Sequence, residues 1–272
     1  MLGLKLCEVL KESGFNLKKE RFNIASSKET KRISKKFENI NSIIHCAAVT
    51  EVNKCENNKA RCFKVNVIGT RNVVDLARFY DANLIYISTP MIFSGRDGNY
   101  KEDDTPEPVN YYAKSKMYGE REVLKYNKGL VIRANPIGVR PPGAHPSFIQ
   151  WFVNAAKENK SFTLFNDVKI NPISTLKFSE MIVSLLMDFK PGILHLGSSD
   201  VVNKADIWRL IVSKFPEFKG RVSEKSVNKT KAGQIAKRPK EMWLNVEKAG
   251  SLGFKMPNWK REVGQVLNEI IK

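Results

Sequence analysis

Tyr112 and Lys116 stand four residues apart in Tyr112-Ala113-Lys114-Ser115-Lys116, and a Ser88-Thr89 pair precedes the tyrosine by 23 residues. Side chains spaced i, i+4 share one face of a helix, one turn apart. An ammonium beside a phenol favours the phenolate and lowers the phenol pKa. A tyrosine tuned in this way can pass a proton to or from a carbonyl or hydroxyl near neutral pH. A hydroxyl at a strand end can hold the same substrate oxygen; Thr89 is the first candidate for this and Ser88 the second. Taken alone, Tyr-x-x-x-Lys is as often an ordinary surface pair, and the Ser-Thr at a strand end is what makes it specific. Tyr111 has Ser115 four residues on and no lysine, so it is the weaker candidate.

These residues need elements that bring them together. Residues 4–13 place Leu6, Val9 and Leu10 on one helical face, and Gly14 sits where a helix C-cap belongs. Residues 42–47 form a short apolar run ending in small residues, and Asn83 to Ser88 form a second; both read as buried parallel strands. Residues 60–80 and 112–126 read as helices, 130–133 as a third strand, 176–188 as a helix and 193–196 as a fourth strand. The alternation predicts an α/β, doubly wound parallel sheet with helices on both faces. In such sheets sites form outside the carboxyl ends of the strands. From Asn135 the pattern changes to clustered prolines, an aromatic helix with Phe148, Trp151 and Phe152, and a basic, loop-like stretch from Phe218 to Lys240. The expected division is 1–135 plus about 176–197 as the dinucleotide-binding domain, and 136–175 plus 198–272 as a smaller substrate-binding region.

The chain has 272 residues, 42% of them hydrophobic, and a formal net charge of +18. Its length allows a full core and its composition excludes disorder. No apolar run is long enough to span a bilayer, and the start lacks the features of a secretory signal; a cytoplasmic protein is expected, with no membrane partner. Cys7, Cys46, Cys55 and Cys62 form no CxxC pair, and His45, His145 and His195 are scattered. Free thiols in a reducing compartment, and no metal site, are expected. The positive charge is spread widely, without interleaved aromatics, so it reads as solvated surface rather than a nucleic-acid interface.

The chain resembles the extended short-chain dehydrogenase/reductases, and among them most closely the dTDP-4-dehydrorhamnose reductases. Residues 44–56 are similar to the family's small-residue strand end and following turn, and Phe63 to Asn72 to its VN..GT.N helix. Tyr86 to Phe93 are similar to its YxSTDYVF strand, and Tyr112 to Glu120 to its YGxSKxxGE motif. The likeness continues through Arg133 to Gly138, Asn171 to Thr175, His195 to Gly197, Lys237-Arg238-Pro239 and Leu252 to Phe254, and so covers nearly the whole chain. It implies a Rossmann-like fold, NAD or NADP as cofactor, and a nucleotide-sugar substrate. Tyr112 would be the proton donor, Lys116 would tune it and bond the nicotinamide ribose, and Thr89 would bind the substrate oxygen. Ala47 and Ala48 would let the backbone approach the cofactor, Asn23-Ile24 would meet the adenine, and Pro136 would lie near the nicotinamide. Asn66 is open to a structural or a functional role. A homodimer is the assembly considered.

Leu2-Gly3 match only the end of the family's GxxGxxG turn, whose glycines and helix N-terminus receive the pyrophosphate; the first strand and first two glycines are expected to be missing. Asn23 stands in place of the family's Asp, and Pro90 in place of the Asp after Ser-Thr. Lys18, Lys19 and Arg21 could meet a 2′-phosphate, which hints at NADP. The resemblance implies NAD(P)H-dependent reduction of a 4-keto-6-deoxy sugar nucleotide. The alternatives are a nucleotide-sugar epimerase or dehydratase, and a non-catalytic regulatory subunit like that of methionine adenosyltransferase.

Overall fold

The computed structural model of the protein describes residues 1–227 and 236–271. Four strands build the central sheet: β1 (Ser42–His45), β2 (Asn83–Ser88), β3 (Gly129–Ala134) and β4 (Gly192–Leu196). They lie in the order β1-β2-β3-β4 and every neighbouring pair is parallel. Register runs from Ser42 opposite Asn83, Leu84 opposite Gly129 and Leu130 opposite Gly192. Among the described residues no strand pairs with the outer side of β1.

Strand side chains alternate between faces, and the two faces carry different cores. Ile85, Leu130, Ile132, Leu194 and Leu196 pack with Leu6 and Leu10 of α1 (Leu2–Glu12). Phe178, Met181 and Ile182 of helix Thr175–Met187 close that face. On the other face Leu84, Tyr86 and Val131 pack with Val73, Val74 and Ala77 of helix Gly69–Tyr80. The sheet is thus covered on both sides, as α/β winding requires. Gly14 follows α1 at φ +82, a backbone conformation that glycine takes without steric penalty.

Two local features depart from the expected pattern. The expected helix 60–80 contains a π-helical turn, Lys64–Ile68, between helical pieces Lys59–Phe63 and Gly69–Tyr80. Residues Ser27–Lys36 form a helix, α2, although only Thr30 and Ile33 of it are buried. Its Ser26 cap accepts from the Glu29 N–H, and the basic side chains line its solvent face.

A second core gathers residues from the part of the chain that follows β3. Helices Phe148–Lys157, Lys204–Val212 and Trp259–Ile271 pack Phe152, Trp208, Val263 and Leu267 together. Trp208 meets Phe162 edge-on, with ring centroids 4.9 Å apart. Within the expected loop-like stretch 218–240, Val222–Lys225 forms a strand parallel to Phe162–Phe165. It escaped sequence reading because it is an exposed edge: Ser223 hydrogen-bonds Thr163 and Glu224 pairs with Arg209. Residues 228–235 of that stretch lie outside the described residues. No helix among those described is long and apolar enough to cross a membrane.

Candidate active site

Helix Tyr111–Leu124, α3 here, presents Tyr112 and Lys116 toward the carboxyl ends of β1, β2 and β3. It starts where it does because the Asn110 side chain accepts a 2.9 Å hydrogen bond from the Ala113 N–H. Thr89 directly follows β2. Thr89, Tyr112, Lys116 and Pro136 line one cavity of about 1840 Å³. Tyr111 faces elsewhere, with Lys59 5.7 Å from its ring centre.

The Tyr112 phenol is buried, with the Thr89 hydroxyl close enough to act on its titration. Ser88, by contrast, turns its hydroxyl to the opposite face and donates to Glu120. Of the two candidate hydroxyls Thr89 is therefore the one beside the phenol. Its Oγ1 accepts a 3.3 Å bond from the Met91 N–H, which fixes the rotamer.

The electrostatics reverse the expectation drawn from spacing. Burial pushes the Tyr112 phenol well above its usual range, the Cys55 thiol adds to this, and the neighbouring Thr89 hydroxyl opposes it. Burial pushes the Lys116 ammonium down to about 7, against the opposing charge of Glu120. The ammonium donates to the Ile87 carbonyl at 2.6 Å instead of reaching for the phenol oxygen. The structure thus holds a phenol that keeps its proton, one turn from a lysine that titrates near neutrality.

Asn66 ties the loop after β1 to α3. Its side chain accepts from the Val49 N–H at 2.8 Å and donates to Val49 O at 3.0 Å and Ser115 Oγ at 2.9 Å. The π-helical turn that carries it aims the amide inward, consistent with the occurrence of such turns at functional sites. Sequence reading left its role open; the geometry makes it a positioning residue.

A buried ion pair that spacing alone did not reveal lies behind Ser88. Arg133 Nη2 meets Glu120 Oε2 at 2.9 Å, with both side chains 3% exposed. Arg133 Nη1 also donates to Glu102 O at 3.1 Å and contacts His195 Nε2 at 3.3 Å. Burial and the Arg133 charge lower the His195 pKa to about 3, so that imidazole is neutral.

The remainder of the cavity runs along the carboxyl end of β1. Leu2 and Gly3 line it at the start of α1, opposite Ala47 and Ala48 at the end of β1. No side chain caps the first turn of α1, so its backbone N–H groups are available to an anion. Further along lie Ile24, Lys18, Lys19 and Arg21. The volume exceeds that of an ordinary small-ligand pocket because the cleft continues along the open edge of β1, where Phe15, Leu17 and Ile43 line it. Asn23 does not line the cavity. Its Oδ1 accepts from the Ala25 N–H at 3.1 Å in a turn leading into α2.

The family profile described as RmlD substrate binding domain matches residues 1–271. The spore coat polysaccharide biosynthesis protein SpsK of Bacillus subtilis is 24% identical over 273 residues, spanning 98% of this chain and 94% of that protein. The dTDP-4-dehydrorhamnose reductase of Mycolicibacterium smegmatis is 30% identical over 170 residues, spanning 60% of this chain and 51% of that one. The crystal structure of dTDP-4-dehydrorhamnose reductase from Bacillus anthracis in complex with NADP superposes with a TM-score of 0.88 at 26% identity, covering 98% of this chain and 95% of that one.

Proposed function

Because the chain belongs to the RmlD substrate binding domain family, we propose that it is an NAD(P)H-dependent reductase of a 4-keto-6-deoxy sugar nucleotide. The observation that carries this reading is that Thr89, Tyr112 and Lys116 line one cavity, with Lys116 one helical turn from Tyr112. The nicotinamide, when bound, supplies a hydride to the carbonyl carbon. Tyr112 delivers its proton to the carbonyl oxygen, and Thr89 holds that oxygen in place. A raised phenol pKa suits this direction of transfer, because a general acid must be protonated before it acts. The proton leaves behind a phenolate, which the Lys116 cation stabilises. Lys116 also bonds the nicotinamide ribose, while Ala47, Ala48, Leu2 and Gly3 cradle the rest of the cofactor. Lys18, Lys19 and Arg21 favour NADPH over NADH. Residues 136–175 and 198–272 hold the substrate.

The test is NAD(P)H consumption with a 4-keto-6-deoxy sugar nucleotide, followed by product analysis. Net oxidation of cofactor with formation of the alcohol is the expected result; isomerisation without net oxidation marks an epimerase. Tyr112→Phe should lower kcat about a hundredfold or more. An unchanged turnover in that variant removes the assignment.

A further inference from the structure

The Tyr86 ring fills a notch in the helix that carries Lys116. Gly119 stands three residues after Lys116 on α3, and a Cβ there would overlap the Tyr86 hydroxyl. Glycine is the poorest helix former apart from proline, yet here it lets the Tyr86 side chain of β2 come in against the helix backbone. Tyr86 is buried and packs with Val73, Val74 and Val131. Among the described residues its hydroxyl finds no hydrogen-bond partner. The Thr70 hydroxyl donates instead to Asn66 O at 2.7 Å and shares a 3.1 Å bond with His45 Nε2. An enclosed hydroxyl without a partner costs stability, so the hydroxyl does not explain why an aromatic residue stands here. The contact that the ring does make is through its face: Lys116 Nζ lies 3.9 Å from the ring centre.

Lys116 is short of other partners. It is 3% exposed, and of the three donors of an ammonium one is given to Ile87 O at 2.6 Å. Glu120, the carboxylate one turn further along α3, is held by Arg133 and Ser88. The other titratable groups around the ammonium are His45 and Cys46 at the end of β1, Cys62, and Tyr112 one turn back. His45 is neutral, since burial and the Lys116 charge lower its pKa to about 3, and burial raises the Cys46 thiol to about 12. The face of an aromatic ring carries a fixed partial negative charge. An ammonium over that face is favoured most when both are desolvated, which is the situation of Lys116 and Tyr86.

We propose that Tyr86 is a positioning residue whose ring face, together with the Ile87 carbonyl, seats the Lys116 ammonium and keeps it charged while Tyr112 gives up its proton. A lysine side chain is a point charge on a flexible four-carbon stem, and a single carbonyl leaves most of its directions open. The ring closes one of them and favours the cation over the neutral amine. The hydroxyl takes no part in this; the ring alone does. Gly119 belongs to the same device, because it is the gap through which the ring reaches its place. The effect on turnover rests on the reductase reading, whereas the effect on the lysine itself does not.

The test is a titration of Lys116 by NMR of the full chain carrying 13C-labelled lysine, with Lys116→Met identifying the resonance, beside NAD(P)H oxidation over the same pH range. Tyr86→Phe keeps the ring and sheds the unpartnered hydroxyl, so its Lys116 titration should match the wild type, its turnover should stay within about twofold and its melting temperature should not fall. Tyr86→Leu keeps apolar bulk and loses the face, and Tyr86→Met repeats this with a more adaptable side chain. In both, the Lys116 titration should move down from about 7 by roughly one pH unit. Above the pKa one unit is a tenfold change in the charged fraction, so turnover at pH 8 should fall about tenfold. A Lys116 titration that is the same with and without the ring overturns the seat. So does a loss in Tyr86→Phe equal to that in Tyr86→Leu, which gives the role to the hydroxyl. A ring-dependent titration in a chain that never oxidises NAD(P)H leaves the seat standing and removes the reductase reading; turnover with a ring-independent titration does the reverse.

Discussion

The Lys116 ammonium is bound to the Ile87 carbonyl oxygen at 2.6 Å. It lies over the Tyr86 ring, 3.9 Å from its centre, in a site where burial lowers its pKa to about 7. In the unfolded chain a lysine titrates near 10.4. Between those values the unfolded chain binds the extra proton, so this group makes stability rise with pH across that window. Below about pH 7 its full cost is present. Lys116→Met removes the titration along with the hydrogen bond to Ile87. The stability of Lys116→Met relative to the wild type should therefore be most favourable below pH 7. It should decline by up to about 1.4 kcal/mol per pH unit above it. Urea unfolding at pH 6.5, 8 and 9.5 reads this directly; parallel curves for the two proteins would contradict the depressed pKa.

Glu120 and Arg133 offer a second test, of stability rather than charge state. The pair is fully enclosed, and Glu120 also accepts from Ser88. Removing either partner strands the other charge, so Glu120→Gln and Arg133→Met should each cost about 3–5 kcal/mol. The double variant Glu120→Gln/Arg133→Met should be far less destabilised than the sum of the two, because neither charge is then left unpaired. Denaturant midpoints for the four proteins give the coupling. Single variants that lose less than about 1 kcal/mol would show that water or neighbouring groups compensate the charges.

Much of this arrangement was legible because it is local. The apolar run Asn83 to Ser88 is a strand with the expected limits, and Tyr112 and Lys116 do share a helix face. Helix Ser27–Lys36 was not legible, since its stability rests on a serine cap and two buried residues rather than an apolar stripe. The direction taken by Lys116 depends on a carbonyl 29 residues earlier in the chain, and the pairing of Glu120 with Arg133 on a helix-to-strand contact. The bond from the Ala25 N–H to Asn23 Oδ1, two residues back, is a local turn role that motif position alone did not suggest. Spacing reports which residues can meet on one element. It does not report what burial does to their charge, which is why the phenol of Tyr112 was expected to be acidic and is the reverse.

Gly119 tests how closely α3 must approach the sheet. A Cβ at this position would overlap the Tyr86 hydroxyl and come within 2.9 Å of its Cζ and 3.0 Å of Asn66 O. Tyr86 is 1% exposed and has no room to withdraw, and Asn66 is held by its bonds to Val49 and Ser115. Alanine favours a helix over glycine by up to about 1 kcal/mol, but overpacking of this kind costs about 1–3 kcal/mol, so Gly119→Ala should be net destabilising. Gly264, in helix Trp259–Ile271, provides the control, because a Cβ there meets nothing within 4 Å. Gly264→Ala should therefore stabilise the protein by roughly the propensity difference. The displaced Tyr86 ring also carries Lys116 on its face, so Gly119→Ala should lower turnover while Gly264→Ala leaves it alone. Thermal melts and NAD(P)H oxidation rates on the two variants decide the matter: equal behaviour at the two glycines would mean that the helix can move off the sheet without disturbing the site.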